Sequence, residues 1–408
     1  MPDGAGTLRL PDRVHFGYGT RAQLPAVVRV HGRRVLVVVD PFLEHSPLFI
    51  ETVALLTAAD LVVRVYSDIT PELPVDTLDA AATAVRDFDA EVIVAVGGGS
   101  TLDAAKLIAL LCAHRGPLSR YYGENLVPGP VVPIVALPTT AGTGSEVTPV
   151  AVVSDPDKAL KVGISSPFLV PAAAIVDPEL TLGAPAGVTA FSGIDALVHA
   201  VESYTARPLA IGWTSAAPVF TGQNLLTEAL SLQAARHLGP WLATAVREPA
   251  NRRARHEVAL GALLAGIAFG STGTHLCHAL QYPIGALTKT PHGLGTGLML
   301  PYVLDALRAE DENAGRIAAL GAAIEGLPAE KATAGRTVAR IVELNREIGV
   351  PSTLAEIGVP AAELPRIADL ALASQRLVAI APLEPSRELL LDILQRAHQG
   401  ALTERSDA

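Results

Sequence analysis

The chain has 408 residues, a formal net charge of −10, and a composition that is 50% hydrophobic, 18% charged and only 4% aromatic. That length exceeds what one compact core usually holds, so two domains are expected, and the acidic balance without a basic cluster excludes nucleic acid and anionic membrane surfaces as natural partners. Small molecules are the expected partners, and interiors built from Ala, Val, Leu and Ile suit parallel sheet and close-packed helices.

The N-terminal stretch MPDGAGTLRLPDRV lacks the basic-then-apolar pattern of a secretion signal, and two cysteines, Cys112 and Cys277, cannot build a disulfide framework; a cytoplasmic location is expected. The first 185 or so residues alternate apolar runs with amphipathic stretches. Arg34 to Pro41 reads as a buried strand, Ser46 to Ala59 as a helix, and Leu61 to Tyr66 as a second strand. Val75 to Phe88 reads as a helix, Glu91 to Gly97 as a third strand, Thr101 to Ala113 as a helix, and Val131 to Leu137 as a further strand. Such alternation predicts an α/β domain over 1–185, with a doubly wound, mostly parallel sheet and its ligand at the carboxyl ends of the strands.

Gly97-Gly98-Gly99-Ser100 ends one of these strands and opens a helix, so its backbone N–H groups can face a pyrophosphate. It is not a GxGxxG fingerprint, and such a turn is often only a turn. Asp40 ends an earlier strand, where a carboxylate can hold the ribose hydroxyls of NAD and repel the 2′-phosphate of NADP; its plainer role is to cap the next helix. LPTTAGTGSEVTP, from Leu137 to Pro149, supplies hydroxyls in a loop after a strand, for nucleotide or substrate contact or merely as a satisfied surface loop.

From about Pro185 the pattern changes to Ala/Leu-rich helical periodicity, which predicts an all-helical domain over 186–408, fraying from about Thr403. Asp195 and His199 stand at i, i+4 on one helical face. Val258 to Thr274 carries no charge, yet it is rich in Gly and Ala and lacks interfacial anchors, so a buried helix rather than a membrane span is expected. It runs into Gly273–Gly293, where His275, His278 and Tyr282 are spaced to share one helical face and Pro291-His292-Gly293 should start another helix. An isolated Asp-x-x-x-His is usually a surface pair, and a lone His on an apolar face is usually a hydrogen-bonded core residue. Here a carboxylate and several imidazoles crowd the least polar region, where metal ligation is the least costly explanation.

Taken together these residues resemble the iron-containing (group III) alcohol dehydrogenases, a family within the dehydroquinate-synthase-like fold. The resemblance runs nearly the whole chain, through FGYG at Phe16 to Gly19, GGGSTLDAAK, LPTTAGTGSEVT, DPELT at Asp177 to Thr181, GIDALVHAVESY, and TPHG at Thr290 to Gly293. It implies metal ligation by Asp195, His199, His278 and His292, the last two keeping the family's fourteen-residue spacing, so that His278 rather than His275 is the ligand. It further implies cofactor contacts at Asp40, Gly97, Gly98, Gly99, Ser100, Thr139, Thr140, Thr148, Lys161 and Leu180. Lys161 would otherwise read as a solvated surface charge.

The implied activity is reversible hydride transfer between NAD(H), preferred over NADP(H), and a small alcohol or aldehyde, in a cleft between the domains. Four protein ligands leave room for substrate only on a five- or six-coordinate ion, which favours Fe²⁺ over tetrahedral Zn²⁺, with Zn²⁺ or another divalent metal as the alternatives. A homodimer is expected. Common members carry a second histidine four residues after the third metal ligand, where this chain has Tyr282. HLCH followed by Tyr-Pro, with the longer insert from Thr205 to Gln223, is similar to the hydroxyacid-oxoacid transhydrogenase branch, in which NAD stays bound. A lyase of the dehydroquinate-synthase type and a non-catalytic metal or nucleotide binder are the other rivals.

Overall fold

The computed structural model describes residues 6–70, 72–158, 161–210 and 218–403. Two compact units emerge, Arg9–Ala184 and the chain from Pro185 onward, with residues 6–8 grouped with the second.

In the first unit the strands are β1 (Arg13–Phe16), β2 (Arg34–Val39), β3 (Val62–Tyr66), β4 (Val92–Gly97), β5 (Gly123–Glu124), β6 (Ile134–Pro138), β7 (Val150–Val153), β8 (Val162–Ser165) and β9 (Ala173–Val176). Six of them form one sheet in the order β1-β9-β6-β4-β2-β3, every neighbouring pair parallel, and β5-β8-β7 form a small second sheet. The apolar runs of β2 and β4 are continuous because both faces are covered. Leu36, Val38, Ile93 and Ala95 face one core, shared with helices α3 (Val75–Arg86) and α4 (Gly99–Ala113). Val35, Val37, Val39, Val92, Val94 and Val96 face the other, shared with α1 (Leu24–Arg29) and α2 (Pro47–Ala58). Helices on both faces make the sheet doubly wound. The chain leaves β2 for β3 on one side and returns to β4 on the other, so the strand order reverses between β2 and β4, and a ligand site is expected there.

The second unit consists of helices α5 (Ala186–Thr205), α6 (Leu225–Arg247), α7 (Arg252–Thr272), α8 (Leu276–Thr288), α9 (His292–Leu307), α10 (Asp311–Glu325), α11 (Ala334–Ile348), α12 (Leu364–Leu372), α13 (Gln375–Val378) and α14 (Arg387–Gln399). Among the described residues its only β pairing is the isolated bridge Pro208–Gly222. No single helix among the described residues is long and apolar enough to cross a membrane, and α7, whose residues 258–272 make up most of the uncharged stretch, is followed by a break at which α8 departs by 99°. The core of this insert, residues 211–217, lies outside the described residues.

One expectation is corrected. His275 does not share a helical face with His278 and Tyr282, because α8 begins at Leu276 and His275 caps it with φ −130° and ψ −116°. Gly273, at φ 95°, ends α7 in a conformation that L residues rarely adopt, and the helical register does not survive the turn.

Candidate metal centre and nucleotide site

Three helices of the second unit bring the ionisable side chains together. Asp195 and His199 lie one turn apart on α5, both buried. The turn at Gly273 puts His278 in the first turn of α8. His292 opens α9 behind Pro291, and α9 can approach α5 only because it lacks side chains at the crossing. A Cβ on Gly293 would lie 1.9 Å from the Phe191 carbonyl oxygen, and one on Gly297 would lie 2.7 Å from Ile194.

The imidazoles of His292 and His278 consequently place Nε2 3.7 Å and 3.9 Å from Oδ1 of Asp195, while Nε2 of His199 lies 3.7 Å from Oδ2. The donor atoms of Asp195, His278 and His292 all lie within 4.8 Å of one another. His199 stands beside this tight set, stacked on Phe269 at 4.1 Å and on His278 at 4.9 Å between ring centroids. Nε2 of His278 and Nδ1 of His199 are buried without a hydrogen-bond partner. Orphaned polar atoms of this kind are costly, and a carboxylate facing imidazole nitrogens is a donor set that fits a divalent transition-metal ion.

Electrostatics prepare these groups for a cation. Burial alone would raise the Asp195 pKa, but His199, His292, His278 and the Thr296 hydroxyl, which donates to Oδ1 across 2.7 Å, outweigh it and hold the carboxylate at about 2. Burial, then the neighbouring His199, pushes His278 well below the usual imidazole range. A deprotonated carboxylate and a neutral imidazole are the ligating forms.

Behind this set stands Glu202, a residue to which sequence reasoning gave no role. Fully buried one turn beyond His199, its Oε2 accepts from Nδ1 of His278 at 2.7 Å and from the His275 N–H at 2.9 Å, and its Oε1 accepts from the Cys277 N–H at 2.6 Å. It therefore caps α8 and fixes the His278 ring with Nε2 turned toward Asp195. The only sequence signal was an acidic residue inside an otherwise apolar helix. His275 is satisfied locally, with Nδ1 accepting from the Leu276 N–H at 2.8 Å and Nε2 2.9 Å from Oγ1 of Thr205. Burial raises the Cys277 thiol well above its usual range, which leaves it inert. Tyr282, one turn after His278, is stacked with His292 at 6.0 Å between ring centroids.

In the first unit Asp40, Gly97 and Thr139 follow or end the neighbouring strands β2, β4 and β6. The Asp40 N–H donates to the Val96 carbonyl at 3.1 Å, and the Thr139 N–H to the Gly97 carbonyl at 3.0 Å. Helix α4 begins at Gly99 with Gly98 as a cap that has no side chain, so its first-turn N–H groups suit an anion. A Cβ at Gly97 would meet Thr101 at 2.5 Å and one at Gly99 would meet Thr143 at 2.5 Å, while Thr140 borders Gly98. Asp40 does not cap α2: Ser46 does, accepting from the Phe49 N–H, whereas Oδ1 of Asp40 holds the Phe42 N–H at 3.0 Å in a local turn.

Thr148 is buried, and its carbonyl accepts from Nζ of Lys106 at 2.9 Å, as does the Val150 carbonyl. Asp103 accepts from the Ser145 hydroxyl at 2.6 Å and the Val152 N–H at 2.9 Å. These bonds, from the motif that follows the glycines, tie α4 to the 139–153 segment. Burial pushes Lys106 down to about 8 and Glu146 up to about 7. Lys161 pairs with Glu72. Leu180 packs into the β2-side core, on a turn whose cap, Asp177, is held by Arg21 at 3.1 Å.

Sequence models of known families match the chain in two adjoining parts: "Iron-containing alcohol dehydrogenase" over residues 11–178, and "Fe-containing alcohol dehydrogenase family, C-terminal" over residues 189–398. Long-chain-alcohol dehydrogenase 1 of Geobacillus thermodenitrificans is 34% identical over 401 residues, 97% of either chain. NAD-dependent methanol dehydrogenase of Bacillus methanolicus is 34% identical over 334 residues, 81% of this chain and 84% of that one. The crystal structure of a 1,3-propanediol oxidoreductase superposes with a TM-score of 0.88 at 29% identity, covering 96% of this chain and all of that one.

Proposed function

The chain belongs to the iron-containing alcohol dehydrogenase family of alcohol/aldehyde oxidoreductases, and we propose that within it this protein transfers hydride reversibly between NAD(H) and a small alcohol or aldehyde. The observation that carries the reading is the set Asp195, His278 and His292, the first two buried and His292 partly so, flanked by His199, with Nε2 of His278 and Nδ1 of His199 buried without a hydrogen-bond partner. A divalent ion held there, Fe²⁺ by preference, would polarise the alcohol or carbonyl oxygen, and the nicotinamide would accept or return the hydride.

The chain's own residues do the rest. Thr296 and Glu202 fix the orientations of Asp195 and His278, which keeps the site preorganised. Tyr282, beside His292, takes the place of the histidine that common family members carry and offers a hydroxyl to orient substrate. In the first unit the bare N-terminus of α4 would take the pyrophosphate, and Asp40 would favour NAD over NADP by repelling a 2′-phosphate, in keeping with the NAD dependence named for the Bacillus methanolicus relative. Thr139, Thr140, Thr148, Lys161 and Leu180 are proposed as further cofactor contacts. Thr148 and Lys161 would act from places already engaged by Lys106 and Glu72.

A transhydrogenase is not favoured, since the relatives above are dehydrogenases. The test is an anaerobic screen of NADH oxidation over small aldehydes and oxo acids with Fe²⁺ supplied. Turnover of a subset supports the reading, and absence of turnover across the whole panel with each divalent metal overturns it.

A further inference from the structure

We propose that Glu72 competes with the cofactor for the Lys161 ammonium, so that NADH binds against an internal counter-ion and is released with its help. The inference concerns the affinity of the nucleotide site and rests on the reading above, in which Lys161 is a cofactor contact. The pair is placed by backbone. Val153 of β7 stands opposite Val162 of β8, so Ser154 and Lys161 follow at the same end of that antiparallel pair. Ser154 grips the loop between β3 and α3: its N–H donates to the Leu73 carbonyl at 3.0 Å, its hydroxyl to the Glu72 carbonyl at 2.7 Å, and its own carbonyl accepts from the Val75 N–H at 3.0 Å. Leu73 is buried in the core shared with α3 and α4. β7 is itself tied to α4, since Asp103 accepts from the Val152 N–H at 2.9 Å and Nζ of Lys106 donates to the Val150 carbonyl at 2.9 Å. Glu72 and Lys161 are therefore carried on a frame anchored to the helix whose N-terminus would take the pyrophosphate.

The loop reaches this position at a conformational cost. Glu72 has φ 68° and Leu73 φ 51°, successive residues with side chains in the left-handed region. Strain of this kind persists only where the surroundings impose it, and it gathers at binding sites. It delivers the Glu72 carboxylate to Lys161, in an ion pair whose side chains are 68% and 35% exposed. A pair so exposed adds little to folding stability, so stability does not account for the arrangement. It does change what the lysine offers a ligand. An ammonium is a compact charge, and a carboxylate seated on it must be displaced before another anion can use it in full. The cofactor's phosphates carry the same sign as Glu72, so binding at Lys161 is an exchange of anions, which moderates affinity chiefly by speeding dissociation.

The experiment titrates NADH, by its fluorescence, into the metal-loaded protein in four forms: unmodified, Glu72→Gln, Lys161→Met and the double variant. Glu72→Gln should tighten NADH by about threefold or more, with a matching fall in its dissociation rate by stopped flow, and Lys161→Met should weaken it. In the Lys161→Met background the Glu72→Gln change should alter nothing. The gain from Glu72→Gln should also shrink near 1 M salt, where charges are screened beyond about 3 Å. A variant that merely damaged the loop would bind NADH less well, so tightening separates competition from structural support. Unchanged or weaker binding in Glu72→Gln would overturn the proposal while leaving the oxidoreductase reading intact. The same tightening without Lys161 would overturn it too, by making Glu72 a direct repeller of the phosphates. No NADH binding by any of the four forms would overturn that reading and the proposal with it.

Discussion

Nδ1 of His278 donates to Oε2 of Glu202 across 2.7 Å, and the other ring nitrogen of His278 is thereby aimed at Asp195, 3.9 Å away. A carboxylate behind a metal-binding imidazole sets its tautomer and raises its basicity, and removing such a partner typically weakens metal binding 10- to 100-fold. Glu202→Gln should therefore lose roughly that factor in affinity for Fe²⁺ or Zn²⁺, measured by competition with a chromophoric chelator. Unchanged affinity in a folded variant would show that Glu202 only caps α8.

Asp40 stands at the end of β2, beside the glycine turn at the end of β4. Asp40→Gly should raise kcat/KM with NADPH relative to NADH by about tenfold or more, because the change removes a charge that repels the 2′-phosphate. A variant with the same cofactor ratio as the unmodified enzyme would place the ribose elsewhere.

Tyr282→Phe removes only the hydroxyl of a ring stacked beside His292. If that hydroxyl orients substrate, kcat/KM should fall about tenfold, which corresponds to ~1.4 kcal/mol of transition-state stabilisation. An unchanged kcat/KM with an unchanged pH profile would reduce the tyrosine to a packing residue. Tyr282→His should be measured beside it, and a gain on simple alkanols would mark the tyrosine as a specificity device.

Glu146 is buried beside Lys106, and burial raises its carboxyl from 4.5 to about 7. The folded state therefore binds a proton that the unfolded chain has already released between these values, and the associated stability is present below about 4.5 and lost as pH rises through 7. Glu146→Gln removes this dependence, so its melting temperature relative to the unmodified protein should improve from pH 5 to pH 8, by up to roughly 3 kcal/mol of stability. A difference that does not vary with pH would contradict the assignment.

Much of this architecture is legible in the sequence, for physical reasons. β2, β4 and β6 announce themselves as apolar runs because parallel strands covered on both faces need no polar alternation. β1, β7, β8 and β9 are four residues each and too short for periodicity to separate from loop, and the two-residue β5 is shorter still. Asp195, His199, His278 and His292 stand out as ionisable groups in apolar surroundings. Glu202 does not, because its function arises only when α8 folds back against α5, and in the sequence it is one glutamate in a helix. His275 misleads in the opposite direction: helical spacing pairs it with His278, but the left-handed turn at Gly273 takes it off the helix.

The most direct test of the central claim is to strip the protein with a chelator, verify the loss of metal by elemental analysis, and assay aldehyde reduction by NADH before and after re-adding single metals. Activity should vanish in the metal-free protein and return with Fe²⁺, and His278→Ala should neither retain metal nor recover. Full activity in a verified metal-free preparation would contradict the account.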